Sequence, residues 1–164
     1  MTAATISLEE YMRSAYEHDA EYVDGRIVER PMPTPPHSRM QAYLIRILYI
    51  LAHPLGYEAL PELRIRTGQN RTRIPDLCLT RDLGETLLPS TPPYLCVEIL
   101  SPDERMVEVL AKVSEYLEFG VECIWVVDPE SCTGEIFTQE TTYRVTDGVF
   151  RAGSIEVNVR LFRG

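Results

Sequence analysis

Apolar positions change their spacing several times along the chain, and each change marks an element. Ser7-Leu8-Glu9-Glu10 carries a capping box, which predicts a short helix from residue 7 to about 16. Glu21 to Glu29 alternates on both sides of Asp24-Gly25, a strong hairpin signal because these two residues tolerate positive φ. Four prolines between Arg30 and Pro36 remove ladder donors and fix φ, so this stretch is an extended connector. From His37 to His53, Met40, Leu44, Ile47, Leu48 and Leu51 share one face of a long helix, which Gly56 ends. Tyr57 to Thr67 then reads as a strand, followed by a turn at Gly68-Gln69-Asn70.

Two later runs are apolar almost throughout: Ile74 to Thr80 and Tyr94 to Leu100, separated by a proline-containing loop over 81–93. Such runs read as strands covered on both faces. Each contains one carboxylate, Asp76 and Glu98, and burying an unpaired charge costs several kcal/mol, on the order of 3–5. The period of two places Asp76 with Ile74 and Cys78 on one face, and Glu98 with Tyr94, Cys96 and Leu100 on one face. If the strands are neighbours, the carboxylates converge. Hard oxygen ligands of this kind suit Mg²⁺ or Mn²⁺ better than zinc.

The next helix poses a geometric choice. Ser101-Pro102-Asp103-Glu104 has the form of a capping box, but a helix starting at Pro102 would carry Lys112 about 15 Å along its axis, well past Glu98. A start near Arg105 brings it to about 10 Å, with its side chain leaning back toward the N-terminus. Residues Ser101 to Glu104 are therefore expected to form a loop, with Met106, Val109, Leu110, Val113 and Leu117 as the buried face and Gly120 as C-cap. Glu122 to Asp128 is a further buried strand containing Trp125, which reads as core, and the remainder alternates like a meander of short strands. The order gives one α/β domain over 1–164, with a mixed central sheet flanked by helices, an N-terminal helix and hairpin, and a C-terminal meander.

Pro75-Asp76 followed by Glu98-Ile99 resembles the PD-(D/E)XK superfamily, the restriction-endonuclease-like fold, except that Leu100 stands where that motif has lysine. The phrase VEILSP, the lysine-bearing helix AKVSEYLEFGV and the strand ECIWVVDPE resemble a large bacterial branch of that superfamily, from about Glu21 to Glu130, in which the lysine has moved to the helix. The resemblance implies Lys112 as the catalytic lysine and Glu21 as an active-site accessory. It also implies a Mg²⁺-dependent (or Mn²⁺-dependent) endonuclease acting on DNA, with Asp76, Glu98 and the Ile99 carbonyl as metal ligands. Glu21 reads equally as a solvated carboxylate on a hairpin.

Of the 16 Lys and Arg residues, Lys112 is the only lysine. A compact ammonium and a planar guanidinium are not interchangeable at a tight site. The alternative for Lys112 is a surface ion pair with Glu108 at i,i+4, worth a few tenths of a kcal/mol, about 0.3. Arg64, Arg66, Arg71 and Arg73 cluster around one hairpin and are candidates for phosphate contacts; a charged edge that blocks aggregation is the other reading. His37 reads either as a capping or exposed histidine or as a contact to phosphate or a metal-bound water.

A length of 164 residues suffices to bury about 70% of the unfolded chain's surface without staples. Cys78, Cys96, Cys123 and Cys132 lack metal-ligand spacing and read as reduced core thiols. With neither a signal peptide nor an apolar run of membrane-spanning length, the expected compartment is the cytoplasm. The net charge of −9 opposes tight unassisted binding to nucleic acid but is compatible with acidic residues that a divalent ion offsets. A homodimer is expected, since cutting a duplex takes two sites and the meander offers edge strands. The reading from another class is a catalytically inactive module that keeps the nuclease fold for nucleic-acid binding or oligomerisation.

Overall fold

A computed structural model describes residues 5–16 and 19–163, the last by its backbone alone. Helix α1 (Leu8–Arg13) is capped by the Ser7 side chain, which accepts from the Glu10 amide, and it stops at Ser14 rather than near residue 16. The hairpin β1 (Ala20–Val23) and β2 (Arg26–Glu29) turns at Asp24-Gly25, both with positive φ. Helix α2 (Pro35–Ala52) begins with proline at its first turn and passes into a 3₁₀ turn that Gly56 closes in the left-handed region.

Tyr57 to Thr67 is not one strand but two. β3 (Glu58–Pro61) pairs with β6 (Leu77–Thr80), whereas β4 (Ile65–Gly68) pairs with β5 (Arg71–Arg73) in a separate sheet. Glu62, with φ +52, makes the bend between them. A non-glycine residue in that region is uncommon, so no turn residue announced the switch.

The central sheet has six strands in the order β10-β9-β8-β7-β6-β3. β7 (Leu95–Ile99) and β8 (Cys123–Asp128) are parallel, joined over one face by α3 (Met106–Phe119), and the other pairs are antiparallel. β9 (Thr133–Thr138) and β10 (Thr142–Val145) extend it, and β11 (Val149–Ala152) with β12 (Ile155–Asn158) forms a separate hairpin. The fold is thus mixed α/β around a mixed sheet, as the apolar spacing indicated.

Alternation along the strands divides the core in two. Leu77, Leu79, Leu95, Val97, Ile99, Trp125 and Val127 pack with Met40, Leu44, Leu48 and Ala52 of α2. Cys78, Cys96, Ile124 and Val126 face the other way, toward Val109, Val113 and Tyr116 of α3. Each fully buried aliphatic side chain contributes about 1.5–3 kcal/mol relative to exposure. The Trp125 indole N–H, buried among them, donates to the Arg151 carbonyl of β11 at 3.0 Å.

The inward face of α3 is rotated from the expected one. Val109 and Val113 are buried, but Met106 and Leu110 are exposed, while Lys112, Glu115 and Tyr116 are buried. Apolar spacing alone missed this because three polar or polar-tipped side chains turn inward to meet charges. All four cysteines are buried free thiols. No helix among the described residues is long and apolar enough to cross a membrane.

Candidate active site

The antiparallel register pairs Leu77 with Val97, so one further step brings Asp76 opposite Glu98 at the end of the two central strands. Both carboxylates are 3% exposed. Asp76 Oδ2 accepts from the Ile99 amide at 2.7 Å and lies 3.3 Å from His37 Nε2, while Oδ1 accepts from the Arg30 guanidinium. The Asp76 carbonyl is also held, by the Glu62 amide and the Gln41 side chain. Burial alone would raise the Asp76 pKa; His37, Arg30 and the Ile99 amide outweigh it, and the carboxyl is held below its ordinary value.

Glu98 sits in the opposite balance. Its Oε1 accepts from the Tyr116 hydroxyl at 2.7 Å, and its Oε2 lies 3.3 Å from the Lys112 ammonium. Burial, reinforced by Asp76 and Glu21, pushes its pKa up to about 7 against the pull of Lys112 and Tyr116. Lys112 is 9% exposed, and its Nζ also lies 3.7 Å from both Glu21 Oε1 and Glu104 Oε1. Burial would lower the pKa of this ammonium, but the carboxylates of Glu98, Glu21, Glu104 and Asp76 raise it, so it is firmly charged. The surface pairing with Glu108 does not occur; Glu108 instead lies 3.8 Å from Arg105.

Glu21 is not a solvated hairpin carboxylate. It is buried, with Oε1 accepting from the Ile74 amide at 3.1 Å and Oε2 from Arg73 at 2.8 Å. Arg73 bridges Glu21 to Glu115, whose Oε2 takes Nη2 at 2.7 Å and Nε at 3.0 Å, and the Thr67 hydroxyl donates to Glu115 as well. Glu21 therefore belongs to two clusters, one around Arg73 and one around Lys112.

The four hairpin arginines are not a common phosphate-facing patch. Arg73 is interior, Arg71 pairs with Asp24 at 2.8 Å, and Arg66 donates to the Gly68 and Gln69 carbonyls. Arg64 lies over the Tyr11 ring, 3.6 Å from Asp19. Carboxylates and carbonyls thus hold all four, a difference that arginine density in the sequence does not reveal. His37 is buried rather than exposed, because the proline-rich connector folds its end of α2 against Asp76.

Arg30, His37, Glu62, Asp76, Glu98, Glu104 and Lys112 border one cavity of about 40 Å³, room for an ion or a few waters. A larger cleft of about 640 Å³ opens at the other end of β7, near Tyr94, and none of these residues borders it. Among the described residues no group of three His, Cys, Asp or Glu side chains is arranged to hold a metal by itself. Two carboxylates do fit a Mg²⁺-type ion, which keeps most of its waters and uses few protein ligands. Burial raises the Glu98 and Glu104 carboxyls against the pull of Lys112, with Asp76 and Glu21 adding to the rise, and this leaves the site receptive to added positive charge. The Ile99 amide is bound to Asp76, which ties the end of β7 to the site.

Arg30, Glu104 and Tyr116 were not among the expected site residues. Tyr116 follows Lys112 by four positions, the spacing that puts two side chains on one helix face, and that was the available signal. Arg30 and Glu104 lie in segments expected to be loops, where sequence spacing carries no facing information.

Comparison with known proteins bears on the fold and the family. Among curated proteins none matches the chain. A crystal structure from Anabaena variabilis, described as "a putative nuclease belonging to DUF820", is 23% identical and covers 96% of this chain and 97% of its own, with a TM-score of 0.84. That likeness shows the restriction-endonuclease-like fold. The profile of the Uma2 family, described as "putative restriction endonuclease", matches residues 8–159, nearly the whole chain including every site residue above, and the chain belongs to that family.

Proposed function

We propose that the chain is a divalent-metal-dependent endonuclease that hydrolyses phosphodiester bonds in DNA. One observation carries the reading: two buried carboxylates, Asp76 in the bend just before β6 and Glu98 within the neighbouring β7, share a small cavity with a buried ammonium that lies 3.3 Å from Glu98. The family's description supports DNA as the substrate. Asp76 and Glu98, with the Ile99 carbonyl as third oxygen, would hold Mg²⁺ or Mn²⁺, which supplies Lewis acidity to the phosphate and acidifies water.

Hydrolysis adds water across a P–O bond, so charge grows on the phosphate oxygens as the bond forms. Lys112, with three N–H donors and no acceptor, neutralises that charge and orients the attacking water. Its three carboxylate neighbours hold it charged and in place, at distances loose enough for it to turn toward the cavity. Tyr116, whose phenol keeps its proton because burial and Glu98 push it well above its ordinary pKa, donates to Glu98 and fixes that carboxylate. Two copies would cut the two strands of a duplex, a point that mass measurement by light scattering tests.

The decisive experiment is a cleavage assay on single-stranded, nicked, branched and duplex DNA with Mn²⁺, run with wild type and Asp76→Ala. Cleavage by the wild type alone is expected. Absence of cleavage on all four substrates, together with absence of Mn²⁺ binding by calorimetry, would refute the reading.

A further inference from the structure

Two permanently cationic side chains border the cavity, and their partners differ. Those of Lys112 (Glu21, Glu98 and Glu104) are all interior. Arg30 binds interior Asp76 by Nη2, while its Nη1 lies 3.4 Å from Asp19 and 3.7 Å from Glu62, two carboxylates half open to solvent. Arg30 thus spans from the floor of the site to its mouth. Its backbone is fixed, since its amide donates to the Asp19 carbonyl at 3.0 Å and prolines follow at 31 and 33. Any adjustment of Arg30 therefore falls to its side chain, whose carboxylate partners lie both inside the site and toward solvent.

The two oxygens of Asp76 are likewise unequal. Oδ2 is taken by the Ile99 amide, a group locked in β7, and faces His37. Oδ1 is taken by the Arg30 guanidinium, a group on a long flexible stem. An ion arriving at Asp76 finds Oδ1 the oxygen that a side-chain rotation frees. A guanidinium and a divalent ion on that same oxygen would repel strongly at low local dielectric.

We propose that Arg30 is a phosphate-binding residue of this site, which neutralises Asp76 in the metal-free chain, yields Oδ1 to the divalent ion, and turns to the mouth to grip the nucleic-acid phosphate. The planar fork of guanidinium matches two phosphate oxygens at once, which an ammonium does not. Asp19 and Glu62, half open to solvent, lie on the outer side of the fork, whose own side chain is 13% exposed. This role rests on the nuclease reading, and it explains how a chain of net charge −9 gains a phosphate contact only after its ion has bound.

The test uses the full chain. Calorimetry with Mn²⁺ alone compares wild type, Arg30→Gln, Arg30→Lys and Asp76→Asn, and fluorescence anisotropy follows a labelled duplex oligonucleotide in Ca²⁺. Arg30→Gln is expected to bind Mn²⁺ more tightly by about tenfold or more and the oligonucleotide more weakly by about tenfold or more, tenfold being close to the solvent-screened value of one charge–charge interaction. Arg30→Lys should bind Mn²⁺ like wild type and the oligonucleotide more weakly, because the charge remains and the fork does not. Mn²⁺ binding that depends on Asp76 but not on Arg30, or oligonucleotide affinity unchanged in Arg30→Gln, overturns the role of Arg30 while leaving the nuclease reading standing. Absence of Mn²⁺ binding in wild type and Arg30→Gln alike overturns both. Should Arg30→Gln fail to fold, Arg30→Lys decides: oligonucleotide affinity equal to wild type sinks the proposal.

Discussion

The buried charges of this protein form two clusters that share Glu21 and differ in kind. Around Arg73, guanidinium and carboxylates meet at 2.7 to 3.0 Å, every Arg73 nitrogen has a partner, and none of Arg73, Glu21 and Glu115 borders the small cavity. Around Lys112, the ammonium lies 3.3 to 3.7 Å from three carboxylates, of which Glu98 and Glu104 border that cavity, and Glu98 is left with a pKa of about 7. The first arrangement is saturated and tethers β1, β5 and α3 to one another. The second is under-neutralised, which is what a site that receives an ion and a polyanion requires. Burial by itself does not separate the two; satisfaction of donors and acceptors does.

Removing Arg73 should have the largest effect on the fold. Arg73→Met strands Glu21 and Glu115 in the interior, and the expected loss is about 3–5 kcal/mol, read as a lower midpoint in urea unfolding. Restoring much of that loss by adding Glu115→Leu would confirm that the cluster is structural, and an unchanged midpoint in the single variant would dissolve the distinction drawn above. Lys112→Ala should do the reverse: activity falls about a hundredfold, roughly 2.7 kcal/mol of transition-state stabilisation, with the urea midpoint nearly unmoved because Glu98 takes up a proton. Lys112→Arg should rescue poorly. Activity within a few-fold of wild type in both variants would remove lysine from the mechanism.

The smallest effect concerns pH. Glu98 has a folded pKa of about 7, above its ordinary value, so the folded chain holds a proton that the unfolded chain releases. The stabilising contribution is complete below the unfolded pKa and is lost as pH rises through 7. Without metal, the melting temperature of wild type relative to Glu98→Gln should therefore fall by a few degrees between pH 5 and 8, at about 2–4 °C per kcal/mol. A difference that stays constant across that window would contradict the assigned environment of Glu98.

Much of this was legible in the sequence, and for identifiable reasons. Asp76 and Glu98 stood out because a carboxylate inside an apolar strand is costly, and the period of two assigned them to faces without any coordinates. Lys112 stood out as a single lysine among arginines, and chain geometry placed the start of its helix near Arg105, one residue before the observed Met106. Illegible were the features fixed by distant partners. Met106 and Leu110 satisfy helical spacing yet lie outside, since Lys112, Glu115 and Tyr116 gain more from the interior carboxylates and Arg73 than an apolar stripe gains from the sheet. Arginine density near the β4–β5 turn suggested a phosphate surface, but carboxylates 40 or more residues away in sequence had already claimed Arg71 and Arg73.

Trp125 gives the C-terminal hairpin an optical signature. It is the chain's single tryptophan, fully buried, and its indole N–H is bound to a carbonyl of β11 while Phe150 of the same strand lies against its ring at 5.5 Å between centroids. Excited at the red edge, where the tyrosines do not absorb, the protein emits from one ring whose polarity and quenching are set by how firmly β11–β12 is seated. Loosening of that hairpin should shift the fluorescence toward the red before the far-ultraviolet dichroism of the six-stranded sheet changes, so that two ordinary spectra suffice to separate partial undocking from global unfolding.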